Sequence, residues 1–102
     1  MKRVYIAGPI RGGDRLHNLN QALVAYRALM ARGHAPMCPH LNMLAAYGFN
    51  GQTDADWLAV DLCWVEVCEV VLRLPGESAG ADAETALANR LGIPVVHSVE
   101  EV

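Results

Sequence analysis

The sequence lacks the features that would assign the chain to a membrane, secreted or nucleic-acid-binding class. None of its apolar runs approaches the roughly 20 residues that a membrane span requires. The apolar run that follows Met1-Lys2-Arg3 is too short for the hydrophobic core of a signal peptide. The net charge is −3 and no basic run occurs, which disfavours duplex nucleic acid as a partner. We therefore predict a cytoplasmic protein that binds a small molecule, with neither a membrane nor a nucleic acid as partner.

Metal-binding patterns are absent as well. There are only three cysteines, without a C-x-x-C pair, and the four histidines are scattered. A zinc site is thus disfavoured, and we predict neither a metal nor a cofactor. Thiols in apolar surroundings favour burial in a reducing compartment. The cysteines are Cys38, Cys63 and Cys68, and the histidines are His17, His34, His40 and His97.

The chain is rich in apolar residues, at 53% of 102, with 19% charged residues. This composition predicts a globular protein with one domain spanning residues 1–102. A domain this small and this apolar also favours burial of surface in a homodimer or a larger homo-oligomer.

Short apolar runs alternate with segments of helical periodicity. Strands are predicted at Val4–Ala7, Ala35–Cys38, Val70–Leu74 and Ile93–His97. Helices are predicted from an N-cap at Asn18 to Gly33, from Asp54 to Cys68 and from Ala79 to Leu91. Residues 40–53 fit either a helical turn or a loop, and residues 98–102 are predicted to form a polar tail. This alternation predicts an α/β fold, a parallel sheet with helices on both faces, in which ligands bind beyond the carboxyl ends of the strands.

A glycine-rich turn with one arginine follows the first strand, at Gly8-Pro9-Ile10-Arg11-Gly12-Gly13. Glycines let backbone N–H groups approach an anion, and a guanidinium matches a phosphate. The spacing fits neither G-x-G-x-x-G nor the P-loop pattern. The segment is therefore either a phosphate-binding loop or an ordinary turn with a solvated arginine. The residues predicted to bind the substrate here are Gly8, Ile10, Arg11, Gly12 and Gly13.

Two acidic residues lie on faces that their helices share with apolar side chains. Glu84 aligns with Ala81 and Ala88, and an ionised carboxylate in such a place is a candidate nucleophile toward a sugar carbon. Its alternative is a capping or solvated residue. Asp61 aligns with Leu58 and Val65 and is a candidate for a second catalytic carboxyl group. Its alternative is a surface salt bridge.

Further candidates support these two. Tyr5, on the first strand, is able to hydrogen-bond a carboxylate or to serve as core. Ser78 is either a helix cap or, with the amides around Gly80, a phosphate ligand. Asp82 contacts a base or ribose, or lies in solvent. Both tryptophans, Trp57 and Trp64, are predicted to be core residues, and Arg73 has no predicted role.

The motifs together resemble the nucleoside 2-deoxyribosyltransferase-like superfamily across nearly the whole chain. The matching segments are Tyr5–Ile10, Asp56-Trp57 with Asp61-Leu62, Leu74–Gly76 and Gly80–Glu84. Within it, the chain is similar to short phage and bacterial members of unknown function, and its first loop resembles that of the 2′-deoxynucleoside 5′-monophosphate N-glycosidases. The resemblance implies a flavodoxin/Rossmann-like three-layer sandwich with about four to five parallel strands.

The resemblance also implies roles for individual residues. Glu84 matches the nucleophile that attacks C1′, Asp61 the second catalytic acid, and Tyr5 the tyrosine that orients the nucleophile. Arg11 and Ser78 match the ligands of the 5′-phosphate. Hydrolysis of the base–sugar bond of a (2′-deoxy)nucleoside 5′-monophosphate is thus implied first. Base exchange between nucleosides and a non-catalytic nucleotide-sensing role are the alternatives.

The chain departs from the family patterns at two of these positions. Pro9 replaces a serine that the monophosphate glycosidases carry, which removes one phosphate ligand. The transferases carry an aspartate near the place of Ser78, so its absence weakens the implication of base exchange.

Overall fold

The structure is a computed structural model that describes residues 1–102. Four strands form the sheet: β1 (Arg3–Ala7), β2 (Ala35–Met37), β3 (Val70–Arg73) and β4 (Val95–Val96). Four α-helices accompany them: α1 (Arg15–Ala31), α2 (Asn42–Ala46), α3 (Asp54–Val67) and α4 (Ala79–Leu91). Two short 3-10 turns lie at Pro39–Leu41 and Val99–Glu101. No helix is both long and apolar enough to cross a membrane.

The sheet is entirely parallel, with the strand order β2-β1-β3-β4. Side chains alternate across it, because successive residues of a strand point to opposite faces. Val4 and Ile6 pack with Ala22 and Leu29 of α1 on one face. The other face carries a second core, formed by Tyr5, Ala7 and Val71 with residues of α3 and α4 that include Val65, Ala81 and Ala88. The result is three layers with helices on both sides, as predicted.

The boundaries of α4 agree with the prediction because both of its ends carry local signals. The Ser78 hydroxyl accepts a hydrogen bond from the amide of Ala81, and Gly92 ends the helix in the left-handed conformation. Four other elements are shorter than predicted: β2 stops at Met37, α3 at Val67 and β3 at Arg73, and β4 covers only Val95 and Val96.

The start of α1 was predicted wrongly. The N-cap is Asp14, whose carboxylate accepts hydrogen bonds from the amides of Leu16 and His17, rather than Asn18. Asn18 lies inside the helix and is buried. Both residue types cap helices well, so local sequence does not distinguish them.

Residues 40–53 contain both of the structures predicted as alternatives. Residues 39–46 form a 3-10 turn and α2, and a loop connects them to α3. The polar tail also contains structure, a 3-10 turn whose Val99 packs against the core on the α1 side.

Two burial predictions for α3 were wrong. The Cys63 thiol is exposed, whereas Cys38 and Cys68 are buried, and all three cysteines are unpaired. Trp64 is 48% exposed instead of lying in the core. Apolar residues occur on nearly every face of α3, so periodicity did not identify the face that packs on the sheet.

Candidate functional site

A cavity of about 690 Å³ opens beyond the carboxyl ends of β1, β2 and β3. The loop after β1, the segment after β2 and the start of α4 each form part of its wall, and α3 closes the remaining side. The predicted site residues that line it are Gly8, Ile10, Arg11, Gly12, Asp61, Ser78, Gly80 and Glu84. The parallel topology is what brings these distant segments to one end of the sheet.

Glu84 lies on α4 and is only 4% exposed. The hydroxyl of Tyr5, which is fully buried in β1, donates a hydrogen bond to its carboxylate. Burial is the main reason that the pKa of Glu84 rises to about 7, while the Tyr5 hydrogen bond acts in the opposite direction and favours the ionised form. Burial and the neighbouring Glu84 carboxylate raise the pKa of Tyr5, so the phenol remains protonated and able to donate.

Asp61 faces the same cavity from α3 and is 6% exposed. The side-chain amide of Asn42, on α2, donates a hydrogen bond of 2.9 Å to its Oδ1. Burial raises the pKa of Asp61 to about 6, and the Asn42 hydrogen bond opposes that rise. The negative charge of Asp61 in turn raises the pKa of Glu84, so the two carboxyl groups influence each other.

The loop after β1 is held by buried side chains. The amide of Asn18 donates to the carbonyls of Ile10 (3.2 Å) and Gly12 (2.7 Å). The buried ring of His40 lies with Nε2 at 2.9 Å from the Pro9 carbonyl, which only accepts hydrogen bonds, so Nε2 carries a proton. Burial lowers the pKa of His40 and favours the neutral ring. Three loop carbonyls are thereby engaged by the protein.

Pro9 also packs closely on the loop that follows β3. A side chain at Gly76 would place its Cβ 2.8 Å from Cγ of Pro9, and the φ angle of Gly76 is +115°. Both the contact and the backbone conformation require glycine at this position. The proline that departs from the family pattern thus has a packing partner here.

Arg11 reaches across the cavity mouth to the start of α3. Its Nη1 donates to Oδ1 of Asp54, and the two side chains are 48% and 90% exposed. Ser78 lines the opposite wall, where its hydroxyl caps α4.

Two predicted substrate-binding residues do not line the cavity. Gly13 lies beyond the loop, next to the start of α1. Asp82 is exposed and pairs with Arg73 at 3.2 Å. The guanidinium of Arg73 also donates to the carbonyls of Leu74 and Gly76, which gives this residue a structural role that the sequence did not indicate.

Several residues that line the cavity were not predicted from the sequence to do so. Trp57, predicted to be core, is half-buried and lines the cavity. Asn42 and Asp54 were not predicted as cavity residues, because tertiary packing determines where their segments lie. The acidic start of α3, which contains Asp54, was the only local signal. Neither in the cavity nor in the rest of the chain does a group of three or more His, Cys, Asp or Glu side chains have an arrangement that could hold a metal ion.

Comparison with solved structures establishes the fold. The chain superimposes with a TM-score of 0.67 and 23% identity on a 2-deoxyribosyltransferase from the psychrotolerant bacterium Bacillus psychrosaccharolyticus, covering 91% of this chain and 69% of that one. A 2-deoxyribosyltransferase from Leishmania mexicana gives a TM-score of 0.63 at 18% identity, covering 95% of this chain and 63% of that one. The predicted nucleoside 2-deoxyribosyltransferase-like fold is confirmed.

Comparison of the sequence gives a narrower assignment. No curated protein matches the chain. A family model described as a domain of unknown function, DUF7768, matches residues 2–98. Since that match covers nearly the whole chain, the protein belongs to the DUF7768 family.

Proposed function

We propose that the protein hydrolyses the base–sugar bond of a (2′-deoxy)nucleoside 5′-monophosphate through a covalent intermediate on Glu84. The observation that carries the proposal is the buried carboxylate of Glu84, which accepts a hydrogen bond from Tyr5 and faces a cavity shared with Asp61. A desolvated carboxylate held in one orientation suits attack on an anomeric carbon. The resemblance to deoxyribosyltransferases agrees with this chemistry.

The two carboxyl groups share a proton near neutral pH. Between the pKa of Asp61, near 6, and that of Glu84, near 7, the pair holds about one proton, and the higher pKa places it mainly on Glu84. Attack on C1′ requires the other protonation state, in which the proton lies on Asp61 and Glu84 is ionised. Asp61 then donates its proton to the departing base as the C1′–N bond breaks.

Hydrolysis of the intermediate completes the reaction. A water molecule gives its proton to Asp61 and its oxygen to C1′, and the bond between C1′ and Glu84 breaks. The products are the free base and the sugar 5′-phosphate, and Glu84 returns to the ionised form. No redox step or metal ion is involved in this sequence.

The cavity offers a site for each part of such a substrate. Arg11 and the amides at the start of α4, beside Ser78, suit the 5′-phosphate, because a helix N-terminus and a guanidinium both favour anions. The indole of Trp57 provides an aromatic surface for the base. Gly8, Ile10, Gly12 and Gly80 remain proposed substrate contacts, whereas Gly13 and Asp82 lie away from the cavity wall.

Base exchange is the second candidate, because both structural neighbours are 2-deoxyribosyltransferases. An acceptor base added to the reaction would then yield a new nucleoside in place of the free sugar phosphate. A homodimer or larger homo-oligomer also stays a prediction. It is supported by an exposed apolar strip on α3 formed by Val60, Trp64 and Val67.

The first test compares the wild type with Glu84→Gln on a panel of nucleosides and their 5′-monophosphates, with free base measured by chromatography. We expect base release by the wild type and a loss of about 10³-fold or more in the variant. Glu66→Gln, an exposed site on α3, removes the same charge outside the cavity and should retain activity. Failure of the wild type to release base from any compound would overturn the enzymatic proposal. Nucleotide-induced thermal stabilisation without turnover would then identify a sensing module.

A further inference from the structure

Acidic side chains outnumber basic ones in the wall of the cavity, which is unusual for a site that takes a phosphate. Arg11 is the only basic side chain in its wall, and the four acidic ones are Asp54, Asp61, Glu77 and Glu84. An anionic substrate group therefore meets a single positively charged side chain, beside the neutral amides at the start of α4. The availability of Arg11 decides how well such a group is bound.

The carboxylate of Asp54 is the ion-pair partner of that guanidinium. The two residues lie on different elements, Arg11 in the loop after β1 and Asp54 in the first turn of α3. A carboxylate and a phosphate use the same donors of a guanidinium. The Asp54 side chain thus makes the contact that a substrate phosphate requires.

This ion pair opens at little cost. The Asp54 side chain is 90% exposed, so it returns to water when Arg11 leaves. It also lies in the first turn of α3, where the N-terminal amides favour a negative charge without a partner. When a phosphate replaces Asp54 on Arg11, no buried charge is left without a partner.

We propose that Asp54 is a specificity-determining residue that competes with the substrate's 5′-phosphate for Arg11. It sets the preference of the site between a nucleoside 5′-monophosphate and the unphosphorylated nucleoside. The inference rests on the proposed function in one respect, that the ligand of the cavity is a nucleotide. It adds a residue that weakens phosphate binding and leaves the base and sugar contacts untouched.

The competition changes the affinity for a phosphorylated ligand relative to that for an unphosphorylated one. Asp54 both occupies Arg11 and repels an approaching phosphate, whereas an uncharged nucleoside experiences neither effect. Removal of the Asp54 charge therefore acts on the ratio of the two dissociation constants. The effect requires Arg11, since without a guanidinium there is no contact for which to compete.

The experiment measures binding in a Glu84→Gln background, which prevents turnover. Calorimetric titration gives Kd for the four common 2′-deoxynucleosides and their 5′-monophosphates. We expect Asp54→Asn to lower the ratio of the monophosphate Kd to the nucleoside Kd by about two- to fivefold, the range for an exposed ion pair. Asp54→Glu retains the competing charge and should retain the ratio, as should Glu66→Gln, which removes a charge elsewhere on the same helix.

The outcomes separate this inference from the proposed function. In an Arg11→Gln background, Asp54→Asn should change the ratio much less than it does when Arg11 is present. An unchanged ratio in Asp54→Asn, with binding of both ligand classes intact, would overturn the role of Asp54 alone. Absence of binding by every probe would overturn the nucleotide site, and with it both this inference and the proposed function.

Discussion

At the scale of single residues, the two buried carboxyl groups differ in the donor that each receives. Glu84 accepts a hydrogen bond from a phenol on β1, and Asp61 accepts one from an amide on α2. A hydrogen bond to a carboxylate stabilises its ionised form and opposes the effect of burial. The hydrogen-bond donor and the burial of each carboxyl group therefore determine the pH range over which that group titrates.

Replacement of Asn42 by alanine should raise the pKa of Asp61 from its value near 6, because burial then acts without the opposing hydrogen bond. We expect a rise of about one pKa unit, the size of a hydrogen bond to a charged group. Carbon-13 NMR titration of the Asp61 carboxyl group measures this shift without requiring activity. In base-release assays, the pH range in which Asp61 is protonated should extend upward by the same amount.

A matched control lies in the loop between α2 and α3. Asn50 is exposed and contributes only its backbone carbonyl to a hydrogen bond, so Asn50→Ala should leave the Asp61 titration unchanged. An Asp61 titration that is identical in Asn42→Ala and the wild type would contradict the positioning role of Asn42.

At the scale of elements, local signals predicted those segments whose ends are defined by their own residues. A serine cap, a terminal glycine and a following proline fix α4, and short apolar runs fix β1 and β3. The start of α1 was predicted wrongly because the Asn18 side chain holds the preceding loop instead of capping the helix. Its amide bonds Ile10 and Gly12, a contact that exists only after the loop has folded back.

The residues of the candidate site likewise divide into those that the sequence predicted and those that it did not. Glu84 and Asp61 were found because polar groups on apolar helix faces are conspicuous in sequence, whereas the role of Tyr5 came from the family resemblance. Trp57 was assigned to the core because an indole is equally suited to a core and to a cavity wall. The pairing of Arg11 with Asp54 was missed because exposed charges are common, and nothing local indicates which of them meet. Asn42 was missed because the periodicity of residues 40–53 is weak.

The loop after β1 should depend on Asn18. Asn18→Ala leaves two carbonyls without their donor, and we expect a loss of about 1–3 kcal/mol in the free energy of unfolding. Asn20, two residues further along α1, is exposed and has no such contact, so Asn20→Ala is the control. Urea denaturation measures both variants. Equal stability of the two variants would show that the loop does not rely on the Asn18 amide.

At the scale of the whole molecule, the topology that assembles the site also imposes a cost in stability. The loops that follow β1, β2 and β3 lie at one end of the parallel sheet. The carboxyl groups of Asp61 on α3 and Glu84 on α4 lie at the same end. Burial raises the pKa of both groups in the folded state above the ordinary values of 4.5 for Glu84 and 3.8 for Asp61. Ionisation of either group therefore favours the unfolded chain.

The sign of the pH dependence follows from proton binding. Between about pH 4 and pH 7 these two carboxyl groups bind more protons in the folded than in the unfolded protein, so their contribution to stability falls as the pH rises. His40 acts in the opposite direction. Its lowered pKa makes the folded state less stable as the pH falls through the ordinary histidine range. A comparison of variants with the wild type cancels this contribution of His40.

Glu84→Gln should therefore gain stability relative to the wild type as the pH rises. Glutamine retains an acceptor for Tyr5 and removes the buried charge. With the pKa shifted from 4.5 to about 7, the difference in free energy of unfolding between variant and wild type should grow by about 2–3 kcal/mol from pH 5 to pH 8. Urea denaturation at the two pH values measures it, and Glu66→Gln should show no such growth. A difference that stays constant with pH would mean that the Glu84 carboxyl group titrates as it does in water, and a group so well solvated would lack the desolvation on which its proposed role as nucleophile depends.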